Sequence, residues 1–142
     1  MMTHLLDTNA CVDYLRSPGE SRIHHMLART PPGSVVLCSV VKAELFYGAQ
    51  RSRNSKENLA KVKRFLNRFT SLPFDDEAAE VYGQLRSTLE SQGTPIGPND
   101  LMIAAIALAN GVTLVTHNVA EFQRAPALKI EDWQAGDQGT GG

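Results

Sequence analysis

The stretch that decides the fold is LMIAAIALANGVTLV, residues 101–115. Its first part is apolar and rich in alanine, which predicts a helix from Leu101 to Ala109. Gly111 is well suited to end that helix, because glycine tolerates the left-handed conformation found after many helices. Val112–Val115 has the apolar, β-branched character of a central strand. An apolar helix that leads directly into an apolar strand is typical of an α/β fold.

The rest of the chain alternates short apolar runs with longer helical patterns. Further strands are predicted at 4–6, 35–38, 72–74 and 128–130, and Pro73 favours an edge position for the third of these. Ser39 is predicted to cap the helix that runs to about Ala49. Strands separated by helices of this length imply crossover connections and a mostly parallel sheet. We therefore expect an α/β fold of the three-layer α/β/α sandwich type.

The composition is that of one domain in a reducing compartment. A chain of 142 residues with 42% apolar residues can form a single sizeable core. The domain is predicted to span residues 1–133, with residues 134–142 as a flexible, glycine-rich tail. Cys11 and Cys38 have neither metal-site nor redox spacing and are interpreted as small buried apolar residues. Since neither a membrane-spanning run nor a secretion signal is visible, we expect a cytoplasmic protein without membrane contact.

The net charge of −1 conceals two segments of opposite sign. Residues 41–70 hold eight basic and two acidic side chains, a net of +6, and residues 71–100 hold six acidic and one basic, a net of −5. The basic segment is compatible with a surface that faces nucleic-acid phosphates. A solvated helix face explains it equally well, and no known nucleic-acid motif accompanies it.

Two aspartates stand just before or at the start of a predicted helix, and Asp7 also lies at the sheet edge where ligands bind. Asp7 ends the first predicted strand, and Asp100 follows a loop punctuated by proline and glycine. Either residue could instead cap the helix that follows it. Thr8 or Asn9 could replace Asp7 in that role, and Asn99 could replace Asp100, so the capping role does not require these carboxylates. Both explanations remain open for each aspartate.

Glu44 and the residues after the fourth strand complete the candidate site. The helical neighbours of Glu44 are mostly small and apolar, so its charge requires a metal ion or an arginine from elsewhere in the fold. Thr116 and Asn118 bring a hydroxyl and an amide to the sheet edge where Asp7 lies. Glu121 reaches the same place if a short helical turn follows Asn118.

Only oxygen donors recur in this set, without a cysteine cluster or a pair of histidines that face one site. Oxygen ligands suit Mg²⁺ or Mn²⁺ rather than zinc. Mg²⁺ bound by a few carboxylates keeps several waters, one of which can attack a phosphodiester. Without the metal the carboxylates repel one another, and the pKa of at least one of them should rise.

In these residues the chain resembles the PIN-domain nucleases, and within them the VapC-type toxins of bacterial toxin–antitoxin modules. The resemblance extends from about residue 3 to residue 133, and four motifs carry it in the family's order and spacing. The motifs are LLDTN at 5–9, SVVKAELFYG at 39–48, GPNDLMIAA at 97–105, and LVTHN at 114–118 followed by Glu121 and Phe122. Each motif is weak alone, and the four together are specific.

The resemblance implies an endoribonuclease that depends on Mg²⁺ or Mn²⁺, with Asp7, Glu44 and Asp100 as metal ligands. It implies products with a 5′-phosphate and a 3′-hydroxyl, and transfer RNA or another structured RNA as the substrate. It further implies a homodimer that is neutralised by a cognate VapB antitoxin and contacts operator DNA only through the antitoxin complex. Asn118 departs from the family pattern, in which many members have aspartate. The fourth acidic role therefore passes to Glu121, or Asn118 acts through a water.

Other functions fit the sequence less well. A haloacid-dehalogenase-like phosphotransferase requires a second aspartate two residues after the first, and this chain has Asn9. A receiver domain requires a pair of early acids and a late lysine, and neither is evident. A nuclease fold that has lost its activity and only binds a partner has little reason to retain three acids at one sheet edge.

Overall fold

Five short parallel strands form the central sheet in the computed structural model, which describes residues 1–134. The order across the sheet is β3-β2-β1-β4-β5, and every neighbouring pair is parallel. The strands are β1 (His4–Leu6), β2 (Val35–Cys38), β3 (Ser71–Leu72), β4 (Thr113–Val115) and β5 (Ile130–Glu131). The predicted strands are therefore present, and the sheet is entirely rather than mostly parallel.

Seven helices in the described residues connect and flank these strands, which confirms the α/β/α architecture. They are α1 (Thr8–Arg16), α2 (Arg22–Arg29), α3 (Ser39–Arg51), α4 (Ser55–Leu66), α5 (Asp76–Ser91), α6 (Pro98–Asn110) and α7 (Val119–Phe122). None of the helices in residues 1–134 combines the length and the apolar character needed to cross a membrane. The tail predicted at 134–142 lies outside the described residues except for Gln134.

The stretch quoted first forms the centre of the hydrophobic core. Helix α6 is buried over most of its length, and Leu114 and Val115 of β4 are fully buried. Gly111 ends α6 in the left-handed conformation with φ 65°, and its N–H bonds to carbonyls of the last helical turn. The chain can then enter β4 after a single residue, Val112. This tight turn delivers the end of β4 to the same sheet edge as the end of β1.

Three local predictions were wrong. Ser39 does not cap α3, because the chain passes from β2 into the helix without an intervening residue and Cys38 occupies the cap position. Neither Asn99 nor Asp100 caps α6, which begins at Pro98, a residue preorganised for the first helical turn. Strand β3 lies at the edge as expected, but it ends before Pro73 instead of including it.

The two cysteines are free and buried, as the sequence indicated. Burial raises the pKa of the Cys11 thiol well above its usual value and that of Cys38 to about 11. Both side chains therefore remain neutral thiols and contribute to the core as small apolar groups.

The turn at Gly111 can be tested by a matched pair of substitutions. A Cβ added at Gly111 or at Gly83, which lies inside α5, would meet no atom within 4 Å, so only the backbone conformation differs. Gly111→Ala should lower the free energy of unfolding by about 1 kcal/mol, because alanine is strained at positive φ. Gly83→Ala should raise it by about 0.5–1 kcal/mol, because alanine favours the helix. Urea denaturation measures both, and a gain at Gly111 would contradict this account of the turn.

Candidate active site

The site lies at the carboxyl ends of β1 and β4, which are adjacent strands in register. Leu6 pairs with Val115, so Asp7 and Thr116 follow the two strands side by side. The backbone N–H of Asp7 donates to the carbonyl of Val115 over 3.0 Å. This pairing fixes the first acid relative to the fourth sequence motif.

Asp7 is 3% exposed, and it both caps α1 and lies in the acidic cluster. Its carboxylate caps α1 by accepting a hydrogen bond from the backbone N–H of Ala10 over 2.8 Å. Burial raises the pKa of Asp7, as do the charges of Glu44 and Asp132, while hydrogen bonds from Thr116 and Ala10 act in the opposite direction. Capping and membership of the acidic cluster are therefore compatible in one side chain.

Glu44 extends from α3 and is held by two neutral donors. The Thr8 hydroxyl donates to its Oε1, and the Asn99 side chain donates to its Oε2 over 3.1 Å. Within residues 1–134 no lysine or arginine pairs with this carboxylate. The arginine that the sequence offered as one possible counter-charge is thus not found in the described structure.

Asp100 and Glu121 form the second half of the site and share a hydrogen bond. Burial raises the pKa of Asp100 to about 7, together with this bond and the negative charges of Glu121, Asp7 and Glu44. Helix α7 is the short turn needed to bring Glu121 within reach, and Asn118 Nδ2 donates to Glu121 Oε1 over 3.0 Å. The carboxylate in contact with Asp100 is therefore that of Glu121, and Asn118 orients it.

These carboxylates have the donor chemistry that suits a divalent cation. The charges that raise the pKa of Asp7 and Asp100 are all negative, so a cation at this place would remove a repulsion that the fold otherwise tolerates. Across residues 1–134 no three acidic, histidine or cysteine side chains are arranged closely enough to hold a metal as they stand. Glu44 is turned toward Thr8 and Asn99, while Asp100 and Glu121 are turned toward each other. The residues fit a hard cation by their chemistry, and metal binding would require these side chains to rotate.

Three residues of the site were not identified from the sequence. Thr8 and Asn99, considered only as possible helix caps, instead hold Glu44. Asp132 follows β5 as Asp7 follows β1, and its charge contributes to the raised pKa of Asp7. The rule that polar groups collect after strand ends could have found Asp132, but the last strand was predicted too early, at 128–130.

A cleft of about 250 Å³ opens beside Glu44 between α1, α3 and α4. Leu15, Leu45 and Val62 give it apolar walls, and Arg16 and Lys61 contribute cationic side chains. Part of the basic segment therefore lies next to the acidic cluster. Arg51 and Arg53, which also belong to the basic segment, are exposed around the turn between α3 and α4.

The fold is an all-parallel α/β/α sandwich, and carboxylates cluster at the carboxyl edge of its sheet. These two features place the chain in the class of α/β domains with an acidic site. The model of the PIN domain family matches residues 4–128. The chain belongs to the PIN-domain family, in its VapC-type branch.

Curated relatives match almost the whole chain. The tRNA(fMet)-specific endonuclease VapC of Salmonella typhimurium is 39% identical over 135 residues, which cover 94% of this chain and 99% of the relative. Ribonuclease VapC2 of Rickettsia felis is 38% identical over 132 residues, or 93% and 98%. Among solved structures, a chain of the DNA-bound VapBC complex from Salmonella typhimurium is 38% identical, covers 94% of this chain and 99% of its own, and superposes with a TM-score of 0.89.

The crowding of carboxylates predicts an unusual dependence of stability on pH. The pKa of Asp100 is about 7 in the folded chain against 3.8 without the fold, so the folded state binds more protons between these values. The free energy of unfolding should therefore fall as the pH rises from about 4 to about 7. Asp100→Asn removes this loss, and the variant should be more stable than the parent at pH 8 by about 1 kcal/mol. This gain is well below the full linkage energy because Asp100 is half-exposed and solvent screens its charge.

This comparison is made by urea denaturation in EDTA at pH 5 and pH 8. Asp76→Asn, at an exposed position in the first turn of α5, is the matched control and should show no such gain. An Asp100→Asn protein that is destabilised at pH 8 would mean that the carboxylate supports the fold.

Proposed function

We propose that this chain is a VapC-type endoribonuclease toxin that hydrolyses phosphodiester bonds of structured RNA. The observation that carries the proposal is the cluster of Asp7, Glu44, Asp100 and Glu121, in which two carboxyl groups share a hydrogen bond. Such repulsion has no benefit for folding, so its retention is best explained by chemistry. Relatives that match the chain almost end to end are named ribonucleases, which supports RNA as the substrate.

We infer that Asp7, Glu44 and Asp100 hold Mg²⁺ or Mn²⁺. When bound, such a cation supplies a water of lowered pKa and stabilises negative charge on a phosphoryl group. Asp7 is preorganised for this role by Ala10 and Thr116, and Thr116 also accepts a hydrogen bond from the backbone N–H of Asn118 over 2.9 Å. One hydroxyl thus connects the first acid to the loop that carries the fourth.

We assign to Glu121 the role of accepting a proton from the attacking water. Its Oε1 accepts a hydrogen bond from Asn118, and the carboxylate already contacts a protonatable neighbour in Asp100. A carboxylate held in this way can accept a proton from an attacking water. Asn118 itself has no titratable group, so its role is to orient Glu121.

We propose a transfer RNA substrate, a homodimeric state and a cognate VapB-type antitoxin. The Salmonella typhimurium relative is named for tRNA(fMet), and similar chains occur in VapBC complexes from that species and from Rickettsia felis, both bound to DNA. Contact of the present chain with operator DNA is accordingly expected only through the antitoxin. Expression of this chain alone should arrest the growth of a bacterial host, and Asp7→Asn should relieve the arrest.

The central test is cleavage of total transfer RNA by the purified chain. With Mg²⁺ or Mn²⁺ we expect cleavage that EDTA abolishes and that Asp7→Asn lowers at least about 100-fold, because a ligand carboxylate is lost. Asp75→Asn is the matched control, since Asp75 caps α5 through Ala78 just as Asp7 caps α1 through Ala10. This control should cleave like the parent. Full activity in EDTA, or in Asp7→Asn, would refute the mechanism.

The assignment of the fourth acid can be tested separately. Glu121→Gln should reduce kcat by about 10²-fold, a typical loss for a proton-transfer group. Asn118→Ala keeps that carboxylate and removes only its hydrogen bond, so a smaller loss is expected, about tenfold. Single-turnover cleavage at saturating metal measures both rates. If Asn118→Ala were the more damaging change, the amide and not Glu121 would have the leading role.

A further inference from the structure

A second cavity, of about 480 Å³, lies next to the acidic cluster. Asn9 and Asn118 contribute to its wall, and each is close in sequence or in space to a carboxylate of the site. Asn9 follows Asp7 by two residues, and Asn118 donates to Glu121. Asp13, Arg16, His117 and Gln134 are the other polar residues of the lining, and Val12 adds an apolar side chain. The proposed hydrolysis leaves this cavity without a role.

His117 is held at the cavity by Asp132. Its Nδ1 lies 2.9 Å from Oδ2 of Asp132, and the imidazole is 61% exposed while the carboxylate is 19% exposed. An ionised carboxylate only accepts hydrogen bonds, so Nδ1 carries the proton and Nε2 of the neutral ring keeps its lone pair. Trp133, which follows Asp132, is buried and anchors this segment against the core. The ring is therefore oriented with one acceptor nitrogen left for another partner.

Arg16 contributes a cationic side chain to the same cavity. It is exposed in the last turn of α1, and its side chain has no ion pair or hydrogen bond within residues 1–134. The nearby carboxylate of Asp13 accepts a hydrogen bond from the Ser17 hydroxyl over 2.9 Å. A guanidinium that has no partner within residues 1–134 and lies beside the proposed cleavage site suits a phosphate group.

We propose that this cavity binds the ribonucleotide next to the scissile bond, with Arg16 on its phosphate and Nε2 of His117 accepting a hydrogen bond from its ribose 2′-hydroxyl. Asp132 is the positioning residue that keeps Nε2 directed away from the protein. RNA offers the 2′-hydroxyl donor and DNA does not, so His117 discriminates RNA from DNA during binding, whereas Arg16 contributes equally to both. The inference rests on the proposed ribonuclease function and adds the group by which the substrate is recognised.

The experiment separates the two roles by using two probes. A labelled single-stranded RNA 12-mer and its all-deoxy counterpart are titrated by fluorescence anisotropy against full-length protein carrying Asp7→Asn, which prevents cleavage. His117→Ala should weaken RNA binding about fivefold, the value of one hydrogen bond, and leave DNA binding unchanged. Arg16→Gln should weaken both probes about equally and reduce the slope of log Kd against log salt by about 0.7, the loss of one phosphate contact.

His25→Ala and Arg29→Gln are matched controls on α2, because both side chains are exposed and Arg29 also stands in a last helical turn. Both should bind the probes like the parent. Equal loss of RNA and DNA binding in His117→Ala, or an unchanged salt slope in Arg16→Gln, would overturn this inference. If the parent still cleaves RNA in that case, the proposed function stands. A parent that neither binds nor cleaves RNA would overturn both.

Discussion

Carboxylates crowd together at one sheet edge, and the rest of the fold has to hold them there against their mutual repulsion. Asp7, Glu44, Asp100 and Glu121 come from four separate elements, and their negative charges raise the pKa of Asp7 and Asp100. Because like charges repel, these carboxylates would move apart if the chain allowed it. They are held together because β1 and β4 are fixed in register and α6 is buried against the core. The apolar interior therefore provides the rigidity that the site needs.

The way these charges are held distinguishes this site from a structural ion-pair network. Asp100 and Glu121 share a hydrogen bond with each other. The other partners of the four carboxylates within residues 1–134 are neutral donors: a backbone N–H group, the hydroxyls of Thr8 and Thr116, and the amides of Asn99 and Asn118. Neutral donors orient a carboxylate without cancelling its charge. An arginine would orient the carboxylate and would also cancel its charge. The negative potential thus remains available to a mobile cation. This arrangement is the electrostatic argument for a divalent metal, independent of any family relationship.

The sequence predicted the architecture well because the pattern of apolar runs and helices is strong in this chain. Asp7 and Glu121 were predicted because they come after strands, and Glu44 because it lies on a mostly small and apolar helix face. Asp100 stands at a helix start and gained its weight mainly from the motif GPNDLMIAA, which is similar to that of the family. The sequence left a choice unresolved where two local explanations were equally good, and it missed one residue. Asp7 was weighed as cap or ligand, and the structure shows that it caps α1 and also belongs to the cluster. Asp132 was missed because a two-residue strand, Ile130–Glu131, is too short to locate by pattern.

The same electrostatics explain why the surroundings of the acids matter for a nucleic-acid substrate. A phosphodiester cannot approach four carboxylates unless positive charge lies nearby, and the net charge of −1 gives no general attraction. A metal ion would neutralise the centre of the site but not the nucleotides on either side of the scissile bond. The cationic side chains must therefore be local, and Arg16 lines both the cleft beside Glu44 and the cavity beside Asn118. Discrimination between RNA and DNA then falls to groups that contact the sugar, because phosphates are common to both.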